Sequence, residues 1–163
     1  MKVPFSSFRR LALVAGLIFS LPAAGWSADD KVLEVGFDRL GAFEFTAPAD
    51  ESKAKEADAQ IPAQVKELDA RKVAVTGFML PVKMHEGLVT EFLLVKDPMM
   101  CCYGVVPKVN EWVVVKMNGK GVAPLMDVPV TFEGVLHVGQ IYEGGYLTGL
   151  YLLKGDRLVQ AKG

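Results

Sequence analysis

The sequence has few of the residues from which most recognisable enzyme and metal sites are built. Its 163 residues include only two cysteines and two histidines. It contains no Ser-His-Asp order, no glycine-rich phosphate loop, no paired-carboxylate motif and no repeated CxxC spacing. These absences leave enzymatic activity unsupported, and we expect a binding or accessory protein instead of an enzyme.

Long hydrophobic runs are also absent. The longest, at 11–21, has 11 residues, fewer than the roughly 20 that a membrane-spanning helix needs. Lys2, Arg9 and Arg10 precede this run, and small residues follow it at 22–25. The order of basic, apolar and small residues predicts a secretory signal peptide at 1–28.

Cleavage after Ala28 would leave a mature chain in the periplasm or outside the cell, without a membrane span. Cleavage after Gly25 or Ser27 is the alternative, and a retained membrane anchor is the other interpretation of the run. Cleavage after Ala28 removes three of the 18 basic residues and none of the 19 acidic ones, so the mature charge is 15 − 19 = −4. This mixed, mildly acidic charge argues against nucleic acid as a partner.

The mature chain divides into three parts by composition. Residues 29–60 are an N-terminal extension and linker, in which the alternation within 31–45 indicates a short strand or edge segment. Residues 61–155 are a β-barrel-like domain and 156–163 a C-terminal tail. A short helix opens the domain at Ile61, where Pro62 suits a first turn. Strand patterns follow at 72–82, 91–96, 111–117, 128–138 and 146–153.

These patterns predict a mainly β fold, a small five-stranded barrel of the oligonucleotide/oligosaccharide-binding (OB) type with a short helix before it. Gly77 and Gly134 lie within two similar strands, and a mid-strand glycine often marks the bulge or bend that closes a small barrel. Two ordinary strands that share a glycine are the alternative.

The chemically unusual feature is the sulfur segment, Met-Met-Cys-Cys at residues 99–102. It follows Asp97-Pro98 and precedes Tyr103-Gly104, so we expect it in a loop between the second and third strands. Four adjacent sulfur side chains suit a soft cation such as Cu(I), and thiolates also suit Zn(II).

A metal site is one interpretation of the two cysteines. Neighbouring side chains of an extended strand point to opposite faces, so Cys101 and Cys102 can share an ion only where the chain turns. Zinc normally takes three or four protein ligands. His85 and His137 are the two imidazoles available to complete a zinc or copper site, and Asn110 and Glu111 are candidates to support it.

Two other interpretations remain open. An oxidising compartment favours disulfides, but adjacent α-carbons lie about 3.8 Å apart and an ordinary disulfide needs roughly 4.4–6.8 Å. A bridge between Cys101 and Cys102 would therefore be strained and easily reduced, as in a thiol-redox protein. Inert packing of both cysteines, in a scaffold of a membrane-associated complex, is the third interpretation.

The remaining polar and aromatic residues carry weaker signals. The glutamates on strands and turns, among them Glu91, Glu133 and Glu143, fit outward-facing solvated positions. Trp112 at a strand start fits the core better than a ligand platform. Tyr146 and Tyr151 fit ordinary packing.

Three motifs carry a resemblance to a known family. Gly77-Phe78-Met79-Leu80-Pro81 precedes Asp97-Pro98-Met99-Met100-Cys101-Cys102, and an Ile61-Pro62-x-x-Val65 helix precedes both. In these runs the chain resembles, from about Val32 to Leu153, a family of exported bacterial proteins classed as a domain of unknown function. The resemblance implies metal homeostasis beside an exporter-type permease, with the Cys102 region as the position of interest. The partner would be a membrane transporter or another periplasmic protein.

Overall fold

The computed structural model describes residues 31–101 and 107–161, and of Met100 and Cys101 it describes only the backbone. The predicted signal peptide at 1–28 lies outside the described residues. Within them, no helix is long and apolar enough to cross a membrane.

Strands dominate the described chain, because valines and aromatic residues recur in it at strand spacing. The prediction of a mainly β protein is confirmed, and each of the five predicted strands is present. The six strands are β1 Leu33–Val35, β2 Arg71–His85, β3 Leu88–Val95, β4 Trp112–Met117, β5 Pro129–Glu143 and β6 Tyr146–Ala161.

The helices are short. They are α1 Phe37–Leu40, α2 Ala54–Asp58 and α3 Ala63–Lys66, with 3-10 turns at Glu51–Lys53 and Pro98–Cys101. The predicted short helix is α3, and Pro62 is its N-cap. Val65 on α3 and Leu68 just beyond it are buried, which fixes this part of the chain against the sheet.

The sheet closes on itself. Its order is β1-β2-β3-β4-β6-β5, and β2 also pairs with β5, so the five long strands form a ring of hydrogen-bonded ladders. β4 and β6 run parallel, β1 and β2 run parallel, and the other pairs are antiparallel. The long strand β2 closes the ring because its first half pairs with β5 and its second half pairs with β3.

Glycine allows the strands to approach closely. A Cβ on Gly134 would lie 2.1 Å from the Lys154 carbonyl oxygen, and one on Gly77 would lie 2.8 Å from that of Val95. The β5–β6 register shifts between Glu133 and Gly134, so the predicted irregularity is present there. Gly77 lies in an unbroken register with β5, and its role is the close approach alone.

The core fills the ring with alternate side chains of its strands. Phe92 and Phe132 meet at its centre with ring centroids 4.7 Å apart and a tilt of 53°, an arrangement favoured by the ring quadrupoles. Val35, Phe37 and Leu40 from β1 and α1 join the same core. The segment 29–60, expected as extension and linker, therefore includes core residues at its start.

The last strand runs further than its sequence pattern indicates. β6 continues past Leu153 to Ala161, and residues 157–161 pair with β5. The segment 156–163, expected as a tail, thus belongs to the sheet as far as Ala161. Arg157 explains the extension, since it donates two hydrogen bonds to Glu133 on β5 at 2.8 and 3.0 Å.

Candidate functional site

The chain turns as it enters the sulfur segment. β3 ends at Val95, and Pro98–Cys101 forms a 3-10 turn. The Asp97 carboxylate accepts a hydrogen bond of 2.8 Å from the Met99 N–H, which satisfies a backbone donor at the start of this turn. The Met99 side chain is exposed. The side chain of Cys101 and all of Cys102 lie outside the described residues, so their role as ligands stays a prediction.

The two histidines lie at opposite ends of β2. His85 ends the strand, and His137 follows Leu136, which pairs with Arg71 at the start. Phe78 of β2 pairs with Val95, the last residue of β3 before the sulfur segment. Phe78 is seven residues from each end of β2, which is roughly 23 Å along the strand. Neither imidazole therefore lies beside the entry to the sulfur segment, and the structure does not bring the two together.

Each histidine has a local carboxylate neighbour instead. His85 Nε2 lies 3.8 Å from Glu86 Oε1, and His137 Nδ1 lies 3.8 Å from Asp69 Oδ1. Within the ranges that the structure describes, no group of three His, Cys, Asp or Glu residues is placed to hold a metal ion.

The chain is firmly held at 108–111, shortly before β4. Asn110 is fully buried, and its Nδ2 donates a hydrogen bond of 2.7 Å to the Phe43 carbonyl. Glu111 accepts a 2.8 Å hydrogen bond from the Lys108 N–H, and Lys108 Nζ donates one of 2.6 Å to Glu44. The latter bond raises the pKa of Lys108 above its ordinary value. These residues tie the return of the loop to the N-terminal segment.

A second feature lies on the outer face of β3 and β4. In a sheet with one face in water, buried apolar residues normally alternate with exposed polar residues along each strand. β3 and β4 instead carry apolar residues on both faces. Leu93 pairs with Val114 across this outer face. Together with Val82 they form the floor of a cleft of about 270 Å³, the β3–β4 cleft.

The walls of the β3–β4 cleft are polar and aromatic. Glu91, Trp112, Glu143 and Thr148 line them. The Trp112 indole N–H donates to the Thr148 carbonyl at 2.9 Å, which fixes the ring against the β5–β6 hairpin. The Thr148 hydroxyl donates to the Ile141 carbonyl at 3.1 Å.

Four charges of alternating sign run along the edge of this cleft. Lys83 Nζ lies 2.7 Å from Glu91 Oε2, and Lys116 Nζ lies 2.5 Å from Glu143 Oε1 and 3.8 Å from Glu91 Oε1. The hydrogen bond that Lys83 donates to Glu91 raises the pKa of Lys83, and the bond from Lys116 lowers the pKa of Glu143. Lys83 therefore stays protonated and Glu143 stays ionised at neutral pH.

The expectation that the glutamates are solvated is wrong for two of them. Glu91 and Glu133 are 8% and 7% exposed, and each is held by a cation, Lys83 and Arg157 respectively. A buried carboxylate is tolerated where it is paired. The available signal was the continuous apolar runs of β3 and β4, which predict burial on both faces and so burial of Glu91 among them.

The fold and these sites define a mainly β protein with one six-stranded sheet, five strands of which close into a ring, and a cleft on the outer face of that ring. The family model described as a protein of unknown function (DUF3299) matches residues 28–159. The chain therefore belongs to this family, and the resemblance to a family classed as a domain of unknown function is confirmed.

A solved structure supports the assignment. The crystal structure of a DUF3299 family protein from Pseudomonas aeruginosa PAO1 is similar, with 26% sequence identity and a TM-score of 0.56. The similarity covers 82% of this chain and 99% of that chain. A search among curated proteins finds no significant match.

Proposed function

We propose that the mature chain is an exported binding or accessory protein that holds a soft metal ion, Zn(II) or Cu(I), on the thiolates of Cys101 and Cys102. The observation that carries this proposal is the 3-10 turn at Pro98–Cys101. Adjacent sulfurs can share an ion only where the backbone departs from an extended conformation, and the chain already turns as it reaches the first cysteine.

The surroundings of the sulfur segment support the same function. The segment begins just after β3, and the chain that follows it is held by the hydrogen bonds of Asn110 and Glu111. A loop whose two ends are held has less conformational entropy to lose when it binds an ion.

The further ligands are best sought on the turn itself. Met99 belongs to it and Asp97 directly precedes it. His85 is seven residues along β2 from Phe78, and His137 lies on β5 next to Leu136, which pairs with Arg71 at the other end of β2. Two thiolates with a thioether form a set that Cu(I) favours. We therefore propose Met99 ahead of either histidine as an additional ligand, with copper(I) ahead of zinc. Asp97 is the corresponding candidate if the ion is Zn(II).

We further propose that the ring of β2, β3, β4, β6 and β5 is a barrel of the OB type. The order of the ladders and the one parallel pair within the ring, β4–β6, support this assignment. Such a barrel does not by itself imply nucleic acid as a ligand. In the proposed role it is a rigid support for the loop, beside a transporter or another exported protein.

Competitive titration of the mature chain tests the metal site. The mature chain, prepared under reducing and anaerobic conditions, should remove one Cu(I) or Zn(II) ion from a chromophoric chelator. In the double variant Cys101→Ser/Cys102→Ser, affinity should fall by more than the roughly 100-fold that loss of a supporting residue costs. The matched control His85→Ala/His137→Ala should keep its affinity within about twofold, since His85 lies at one end of β2 and His137 lies on β5 beside the other end.

Thiol counting during the same titration separates the alternatives. Two thiols that appear only after reduction, with no metal bound by the reduced chain, would replace the metal proposal with the redox interpretation. Two free thiols, no bound metal and unchanged stability of the double variant would leave only the scaffold interpretation.

A further inference from the structure

The segment that follows β4 carries an asparagine directly before a glycine. Asn110 and Asn118 are the asparagines of the chain, and of these only Asn118 precedes a glycine, Gly119. The backbone nitrogen of the next residue can attack the carboxamide carbon of an asparagine and close a succinimide ring. Glycine hinders this attack least, because it has no Cβ and its backbone is the most mobile. Asn118-Gly119 is therefore the place in this sequence where such chemistry is fastest.

The structure leaves both reacting groups accessible. Asn118, Gly119 and Lys120 are exposed and form a bend after the last residue of β4. Among the described residues, no hydrogen bond engages the Gly119 N–H. A Cβ built on Gly119 would have no heavy atom within 4 Å, so the bend has room to rearrange. Solvent can therefore remove the Gly119 proton, and the nitrogen can turn towards the Asn118 carboxamide.

Asn110 is the opposite case within the same chain. It is fully buried, and its Nδ2 donates a hydrogen bond of 2.7 Å to the Phe43 carbonyl. The N–H of Glu111, the residue after it, donates a hydrogen bond of 2.8 Å to the Lys108 carbonyl. Ring closure at Asn110 would have to break both hydrogen bonds inside the core, so Asn110 serves as an internal control.

We propose that Asn118 is a site of deamidation, which adds a negative charge where β4 leaves the ring and loosens the chain there. The Gly119 nitrogen gives its proton to solvent and bonds to Asn118 Cγ, and the Cγ–Nδ2 bond breaks and releases ammonia. Water then opens the succinimide at either carbonyl and leaves aspartate or isoaspartate. Water is the co-reactant throughout. This site is separate from the proposed metal site and does not depend on it.

The new carboxylate would face an existing one. Asn118 Nδ2 donates a hydrogen bond of 2.8 Å to Asp156 Oδ1 on β6, and an ionised aspartate has no proton to donate in its place. Two carboxylates at this separation repel each other. The backbone is also held on both sides of the bend, by the Asn118 N–H on the Gly155 carbonyl at 2.9 Å and by the Val89–Val122 bridge. Isoaspartate inserts a methylene into the main chain between these two attachments, so either product weakens them.

Peptide mapping by mass spectrometry tests the modification. During incubation of the mature chain at mildly alkaline pH, the peptide with Asn118 should gain the mass of an NH₂-to-OH exchange and separate into aspartate and isoaspartate forms. The peptide with Asn110 should keep its mass. Gly119→Ala should convert several times more slowly than the parent, since the added Cβ hinders ring closure but has no neighbour to displace. Conversion at Asn118 no faster than at Asn110, or an unchanged rate in Gly119→Ala, would overturn the proposal.

Urea unfolding of charge variants tests the structural effect. Asn118→Asp should unfold at a lower urea concentration than the parent at neutral pH, because it places two carboxylates together. Asn118→Asp/Asp156→Asn exchanges the donor and the acceptor of the hydrogen bond, and it should recover most of the lost midpoint. Equal midpoints of Asn118→Asp and the parent, or a double variant no more stable than Asn118→Asp, would overturn the proposed loosening.

Discussion

Tyr151 shows how a single residue joins two distant parts of the chain. Its side chain is fully buried, and its hydroxyl donates a hydrogen bond of 2.8 Å to the Leu40 carbonyl. That carbonyl belongs to the C-terminal end of α1, where backbone acceptors lack intrahelical donors. The sequence predicts packing for Tyr151, but nothing in it indicates the partner 111 residues away.

The alkaline pH dependence of folding follows from the same residue. Burial raises the pKa of Tyr151 far above the ordinary value of 10. Its neutral form is favoured in the folded state, so its contribution is fully present below pH 10 and is lost as pH rises from there toward the folded pKa. The free energy of unfolding should then fall by about 1.4 kcal/mol per pH unit above pH 10 from this group.

Urea unfolding between pH 8 and pH 11 measures this effect. Tyr151→Phe should cost about 1 kcal/mol at pH 8, from the lost hydrogen bond, and should lack this part of the alkaline slope. Tyr146→Phe is the matched control, since Tyr146 is 78% exposed and its removal should leave the slope unchanged. An identical slope in the parent and Tyr151→Phe would contradict the account.

Among the elements, the neighbouring strands β5 and β6 approach each other very closely at Gly134. At Gly134 the Lys154 carbonyl occupies the space that a Cβ needs, 2.1 Å away. Gly134→Ala should therefore destabilise the protein by about 1–3 kcal/mol or more, since backbone must move to admit the methyl group. Urea unfolding gives the difference directly.

The control for this substitution lies in a turn. A Cβ on Gly119 has no heavy atom within 4 Å, so Gly119→Ala should stay within about 0.5 kcal/mol of the parent. Equal effects of the two substitutions on the free energy of unfolding would contradict the close approach of the Lys154 carbonyl to Gly134.

The elements also show how far the sequence predicts this fold. Period-two patterns located all five long strands, because each has one face in the core and its pattern is local. They also indicated a short strand or edge segment within 31–45, where β1 lies, but they ended the last strand early at the polar run around Asp156. Both strands depend on partners distant in sequence, Val73 for Leu33 and Glu133 for Arg157.

At the scale of the whole molecule, the sulfur segment and the β3–β4 cleft differ in how visible they are in the sequence. The sulfur segment is a contiguous run, so the sequence alone marks it. The β3–β4 cleft assembles Glu91, Trp112 and Glu143 from three different strands through the β3–β4–β6 register and the β5–β6 hairpin. Only a folded ring brings these residues together, and for that reason sequence patterns gave them individual, structural roles.

The sulfur segment gives the molecule its proposed role, and native mass spectrometry of the exported chain tests that role most directly. The protein would be recovered from the cell envelope without chelators and compared with Cys101→Ser/Cys102→Ser prepared in parallel. We expect the parent mass to include one copper or zinc ion that the double variant lacks. A parent mass equal to that of the metal-free chain, with both thiols free and no metal taken up on titration, would contradict the account.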